Sequence, residues 1–128
     1  MLLGTGCPSV DYKRFGPANL ISTKKTKILV DCGSGVTHRL DQAKVSSAEI
    51  DALFLTHLHS DHVVDLYQLI ISSWHSYRIK PWKVYGPKGT KIFVKKMVLL
   101  KQFLVENVLL LVLIIKILIL ETLLLEQQ

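Results

Sequence analysis

The chain has 128 residues, 49% of them hydrophobic, and a formal net charge of +6. This is the size of one modest domain with a core of its own, and two cysteines, Cys7 and Cys32, exclude a disulfide framework. We therefore expect a reducing compartment, the cytoplasm. The positive charge lies in residues 1–100 and favours an anionic partner such as RNA or another phosphodiester, although scattered lysines are also typical of a solvated surface.

The N-terminal third predicts a strand, a loop and a hairpin. Met1-Leu2-Leu3 has the character of a strand end, broken by Gly4-Thr5-Gly6, without the basic and apolar regions of a secretory signal. The start of the chain has the character of a clipped strand. Glycines and prolines make residues 7–17 a loop. Residues 18–23 and 26–31 then predict a hairpin that turns at Lys24-Lys25.

A glycine-rich turn follows the second strand of the hairpin. Glycines at such a turn let the backbone adopt positive φ or approach another group closely, as expected for Gly33 and Gly35. Asp31 has two interpretations: it supports a metal site by orienting a histidine or a bound water, or it caps the following turn. Residues 36–43 predict a helix that carries His38 on the surface.

The next segment concentrates metal-binding side chains. Residues 52–56 have strand length and β-favouring composition, and they lead directly into His57-Leu58-His59-Ser60-Asp61-His62. Alternate residues past a strand end point the same way, so His57 and His59 can reach one ion. Ser60-Asp61 predicts a helix start, which turns Asp61 and His62 away toward a second ion. Imidazole and carboxylate donors suit zinc.

The helix that starts at Ser60 is predicted to continue to Trp74-His75. His75 lies about three turns beyond His62, too far along one helix to bind the same ion. Residues 83–86 predict a short strand and residues 87–89 a turn. Thr90 is the predicted N-cap of a helix that runs to about Leu104.

The C-terminal segment, residues 101–128, differs from the rest in composition. Between Val108 and Leu125 it is almost entirely Leu, Ile and Val, interrupted by Lys116, Glu121 and Thr122. Three interpretations stay open: a non-native or degenerate tail, which we prefer, then a packed or self-associating apolar helix, then a membrane anchor. Insertion of this segment into a membrane is marginal, because the two charges offset most of the favourable transfer free energy. Its apolar surface would also promote homo-oligomers.

Several separated motifs resemble the metallo-β-lactamase superfamily, and within it the ribonuclease Z (tRNA 3′-processing endonuclease) and phosphodiesterase branch. They are Leu3-Gly4-Thr5-Gly6, Arg14 to Asn19, Leu29 to Gly33, Thr56 to His62, and Tyr85-Gly86-Pro87 with Gly89-Thr90. The resemblance covers about residues 1–100, which we take as the N-terminal part of one domain, with 101–128 as a separate tail.

The resemblance implies an α+β fold, the N-terminal half of an αββα sandwich, in which a mixed sheet carries helices on one face. It implies two zinc ions, with manganese or iron as alternatives. His57 and His59 would bind the first ion and Asp61 and His62 the second. Asp61 would also act as general base. Asp31 would orient the ligands without binding an ion itself. The implied activity is hydrolysis of RNA phosphodiester bonds during tRNA 3′ processing.

The chain departs from the family pattern downstream of this motif. The family completes its site with a further histidine, a bridging aspartate and a last histidine, whereas this sequence has no histidine after His75 and no aspartate after Asp65. We therefore expect an incomplete hydrolase. The alternatives are an inactive truncated fragment, a membrane-attached remnant, and a glyoxalase II-like thioester hydrolase.

Overall fold

A computed structural model describes residues 1–9, 11–99 and 107–108 of the chain. Residues 1–94 form one compact unit, and a second unit begins at Lys95. Of the second unit, residues 95–99 and 107–108 are described, and all of them are helical. The predicted division between residues 100 and 101 stays a prediction.

The first unit is built on a five-stranded mixed sheet in the order β1-β2-β3-β4-β5. β1 pairs with β2 and β2 with β3 in antiparallel orientation, whereas β3 with β4 and β4 with β5 pair in parallel. The predicted hairpin is confirmed, with Leu20 opposite Leu29 in its register. The strands are β1 Leu2–Gly4, β2 Ala18–Ser22, β3 Lys27–Val30, β4 Ala52–Phe54 and β5 Val84–Tyr85.

Helices fill the crossovers between the parallel strands. A 3₁₀ turn, Ser47–Glu49, follows the first helix and is closed by a capping box from Ser46 to Glu49. The helices are α1 Val36–Gln42, α2 Ser60–Val63 and α3 Leu66–His75, with α4 over residues 90–99. The predicted α+β architecture, a mixed sheet with helices, is present.

The sheet has one buried face and one exposed face. Leu20 and Leu53 are buried in the core beneath the helices, and their neighbours Ile21 and Phe54 are exposed, as the two-residue alternation of a strand requires. On the exposed face the rings of Phe54 and Tyr85 stack with centroids 4.8 Å apart. The sheet therefore keeps an apolar surface opposite its own core.

Gly33 and Gly35, the two glycines after β3, show the two features expected there, a close approach and a positive φ. Gly35 has a φ of 76°, in the left-handed region that favours glycine. Gly33 instead packs closely: a Cβ at this position would lie 2.6 Å from the carbonyl oxygen of Asp61 and 2.5 Å from the carbonyl carbon of Gly16. Gly33 thus lets the loop after β3 press against the start of α2.

The single helix predicted for residues 60–75 is wrong, because it divides at Val64–Asp65 into α2 and α3. In a continuous helix the His62 carbonyl would accept from the amide four residues later. Here that carbonyl accepts from Cys32 N (2.8 Å), and Asp65 N donates to the Cys32 carbonyl (3.1 Å). The loop after β3 has replaced two helical hydrogen bonds, so the helix ends.

Asp65 also ties the break to α1. Its carboxylate accepts from the Thr37 backbone amide (2.7 Å) and from the Thr37 hydroxyl. Because Thr37 is the second residue of α1, its N–H group has no partner within the helix itself. The Asp65 carboxylate accepts the hydrogen bond from this group. The junction between α2 and α3 is therefore fixed from two sides.

The prediction that Thr90 is the N-cap of α4 is also wrong. Thr90 is the first helical residue, and its buried hydroxyl donates back to the Pro87 carbonyl (2.8 Å). The predicted end of this helix near Leu104 lies outside the described residues. The apolar segment to which the three interpretations of the tail apply also lies outside the described residues, apart from Val108. Among the described residues, no helix is long and apolar enough to cross a membrane.

We predict that Gly33→Ala lowers the free energy of unfolding by about 1–3 kcal/mol, because the new methyl group overlaps backbone atoms that cannot move independently. Urea unfolding followed by circular dichroism measures the change. Ser34→Ala is the matched control, since Ser34 is exposed, and should stay within about 0.5 kcal/mol. Equal stabilities of the two variants would contradict the close packing at Gly33.

Candidate metal centre

The candidate residues meet where two parallel strands end. Asp31 follows β3 and Thr56 follows β4 by two residues, and neighbouring parallel strands present their carboxyl ends at the same sheet edge. The Asp31 amide extends the pairing by donating to the Phe54 carbonyl (2.8 Å). This pairing brings the Asp31 side chain across to the start of the histidine motif.

The buried Asp31 carboxylate lies at the centre of the cluster. It accepts from the Thr56 amide (2.8 Å) and from the Thr56 hydroxyl (3.0 and 2.8 Å to its two oxygens). Its Oδ2 lies 2.9 Å from His62 Nδ1. Asp31 holds a φ of 61°, a conformation that aspartate tolerates better than most residues. Its side chain thus contacts the histidine motif rather than capping its own turn.

Three imidazole rings of the motif lie together. The ring of His57 is 4.6 Å from that of His59, edge to face, and 4.0 Å from that of His62, measured between centroids. His57 Nδ1 lies 2.9 Å from the Thr56 hydroxyl oxygen. The three rings therefore form one cluster, and the assignment of His57 with His59 to one ion and of Asp61 with His62 to a second stays a prediction.

Asp61 and His62 have the spacing of two donors to one ion. His62 Nε2 lies 3.6 Å from Asp61 Oδ2. Two ligands at about 2.0–2.1 Å on a tetrahedral zinc are separated by about 3.3 Å. The pair therefore fits two corners of a zinc tetrahedron with little movement.

One nitrogen in the cluster is held less well. His62 Nδ1 is buried and close to Asp31, yet its N–H is not aligned with the carboxylate, and it finds no other partner among the described residues. Buried polar groups without a hydrogen bond are uncommon in native proteins. The 2.9 Å distance nevertheless keeps this nitrogen in contact with the Asp31 carboxylate.

The cluster offers metal-binding donor types without a closed set of ligands. Within residues 1–9, 11–99 and 107–108, no group of three or more His, Cys, Asp or Glu side chains is arranged to hold an ion. The donor types and the Asp61–His62 spacing fit zinc, and the described residues supply donor pairs rather than a closed set. Ligation by His57, His59, Asp61 and His62 stays a prediction, as does support by Asp31. His38 and His75 are exposed and lie on other helices.

The sequence alone assigns no role in the site to two neighbours of the cluster, Thr56 and Cys7. Thr56 links Asp31 to His57, and its one local signal is its place immediately before the first histidine. A cavity of about 230 Å³ beside Asp61 is lined in part by the exposed Cys7, with Gly16, Ser34 and Ser60 also in its wall. Cys7 lies in the N-terminal loop, so only tertiary folding brings it to Asp61.

A mixed sheet that presents a His-Asp cluster at its parallel strand ends is characteristic of the metallo-β-lactamase fold. A family model described as Anti-Pycsar protein Apyc1 matches residues 1–102. The chain therefore belongs to that family. Its predicted place among ribonuclease Z-like metallo-β-lactamase-fold proteins is confirmed by the relatives described next.

Curated relatives include ribonuclease Z of Mycolicibacterium gilvum (strain PYR-GCK), 43% identical over 100 residues, which are 76% of this chain and 35% of the relative. Ribonuclease Z of Mycolicibacterium paratuberculosis (strain ATCC BAA-968 / K-10) is 46% identical over 92 residues, with 70% and 33% covered. The chain thus spans about a third of the length of these relatives.

Solved structures show the same likeness. The short form of human tRNase Z (ELAC1) superimposes with a TM-score of 0.70 at 30% identity, over 79% of this chain and 38% of that one. The metallo-beta-lactamase fold protein YhfI from Bacillus subtilis gives a TM-score of 0.63 at 25% identity, over 73% and 38%. Both cover little more than a third of the neighbour.

We predict that Cys7 reacts with iodoacetamide in the folded chain and that Cys32 does not. Burial, together with the carboxylates of Asp65 and Asp31, raises the pKa of the Cys32 thiol well above its usual range, so the thiol is neutral and inaccessible. Mass spectrometry at mildly alkaline pH should find one modified cysteine in the folded protein and two in concentrated urea. Two modified cysteines in the folded protein would contradict the buried position of Cys32.

Proposed function

We propose that this chain carries the first half of the active site of a metal-dependent hydrolase that cleaves RNA phosphodiester bonds, as in tRNA 3′ processing. The observation that carries the proposal is the cluster of three imidazoles and two carboxylates at the end of β3 and β4. Similarity to proteins named ribonuclease Z and tRNase Z over this same region supports it.

Each side chain has a proposed part in the site. His57 and His59 would hold one ion, and Asp61 and His62 would hold a second. Asp61, which lines the open cavity, would also take a proton from the attacking water. Asp31 keeps the histidines in place. Zinc suits these donors, with manganese or iron as alternatives, and bound ions of this kind activate water and offset charge on phosphoryl oxygens.

The remaining ligand positions need other donors. Two pairs leave each ion short of the three protein ligands typical of catalytic zinc. No histidine follows His75 in the sequence, so we infer that the completing histidines come from outside residues 1–128. With those positions open to water, the isolated chain would hydrolyse its substrate slowly but above background.

The charge of the chain suits a nucleic-acid substrate. Its net charge is +6, and Lys83, Lys88 and Lys91 are exposed beside β5. Positive side chains attract phosphodiester polymers through sequence-independent electrostatics.

The two free cysteines suit a reducing compartment, and we place the protein in the cytoplasm. No observation favours a thioester substrate over a phosphodiester.

We predict that His59→Ala reduces zinc-dependent hydrolysis of bis(p-nitrophenyl) phosphate and of a 3′-extended tRNA precursor by on the order of 100-fold or more, to the uncatalysed background, because an ion held by a pair loses one of its two protein donors. Product release followed by absorbance, and cleavage followed on a gel, measure the two rates.

His75→Ala is the matched control, since His75 is an exposed histidine at the end of α3. This variant should keep the wild-type rate. Equal rates for wild type and His59→Ala would overturn the proposal and favour an inactive fragment.

A further inference from the structure

A hydroxyl group outside the predicted ligand set makes three contacts inside the cluster. Thr56 Oγ1 lies 3.0 and 2.8 Å from the two oxygens of the Asp31 carboxylate and 2.9 Å from His57 Nδ1. The Thr56 amide also donates to Asp31 (2.8 Å). Thr56 therefore stands between a buried carboxylate and a histidine that is its direct neighbour in the chain.

The protons and lone pairs available on these groups determine the direction of each hydrogen bond. An ionised carboxylate accepts and never donates, whereas a hydroxyl has one proton and two lone pairs. The Thr56 proton must therefore point to Asp31. Only a lone pair of Thr56 Oγ1 is left for His57, so the contact of 2.9 Å requires a proton on His57 Nδ1.

We infer that Thr56 is a positioning residue that holds neutral His57 in the Nδ1–H tautomer. In water, neutral histidine favours the opposite tautomer, with the proton on Nε2. Thr56 reverses this preference and leaves the Nε2 lone pair free, and the metal ligand must be an unprotonated nitrogen. His57 is thereby prepared as a donor before any ion arrives.

The same carboxylate acts on two histidines by different routes. It faces His62 Nδ1 directly at 2.9 Å, so the other nitrogen of that ring, Nε2, is the one turned to Asp61. It acts on His57 only through the Thr56 hydroxyl. Loss of that hydroxyl should therefore release His57, whereas His62 keeps its direct contact with Asp31.

The inference concerns one atom of the proposed metal site, but its test needs neither metal nor activity. Long-range ¹H–¹⁵N correlation spectra of the full chain, labelled on histidine and stripped of metal with a chelator, report which ring nitrogen carries the proton. The spectra are recorded at a pH where the imidazoles are neutral, and the His57 signals are assigned with His57→Gln.

We expect the His57 proton on Nδ1 in wild type and in Thr56→Ser, which keeps the hydroxyl. In Thr56→Val, which keeps shape and the backbone bond to Asp31, the His57 proton should shift toward Nε2. The exposed His38 and His75 should give identical spectra in all variants. Zinc affinity measured by titration calorimetry should fall about 10-fold in Thr56→Val and recover in Thr56→Ser.

Two results would overturn the inference. One is a wild-type His57 protonated on Nε2, and this spectrum decides the tautomer even if a variant fails to fold. The other is an unchanged tautomer in Thr56→Val, or in Thr56→Ala if valine disturbs the turn. If wild-type His57 is protonated on Nε2 and the protein still hydrolyses its substrate, this inference alone fails. If wild-type His57 is protonated on Nδ1 and no hydrolysis is found, the proposed function alone fails.

Discussion

The contact between the Asp31 carboxylate and the histidine motif is the interaction on which the candidate site depends. A buried carboxylate is costly unless hydrogen bonds compensate it, and Asp31 obtains them from the amide and hydroxyl of Thr56. The same group faces His62. Its unusual φ of 61° is the conformation that directs it across the strand ends, and sparsely populated backbone conformations concentrate at functional sites.

The backbone around this carboxylate is held by an exchange of hydrogen bonds. Cys32, the residue after Asp31, bonds to the carbonyl of His62 and to the amide of Asp65, so the loop after β3 and the start of α2 form one structure. Gly33 permits the close approach, and Asp65 connects the helix break to α1. The orientation of Asp61 and His62 therefore depends on the loop and on α1 as much as on the helix that carries them.

Local patterns in the sequence were sufficient for much of this arrangement. The hairpin, the strand before the motif and the histidine cluster follow from alternation, turn residues and donor spacing. The division of the helix at Val64–Asp65 does not, because the helical pattern continues through it and the competing bonds come from Cys32. The role of Thr56 could not be predicted either, because its hydroxyl bonds to Asp31, 25 residues earlier in the chain.

Zinc binding by the full chain and by Asp31→Asn tests this account most directly, with folding of each protein checked by circular dichroism. Asp11→Asn is the matched control, because among the described residues the Asp11 carboxylate bonds to Lys13 and Arg14 in its own exposed loop. If Asp31 organises the donors, titration calorimetry will show binding by wild type and Asp11→Asn, and binding at least about 10-fold weaker by Asp31→Asn. Equal affinities in all three proteins, or no binding by wild type, would contradict the account.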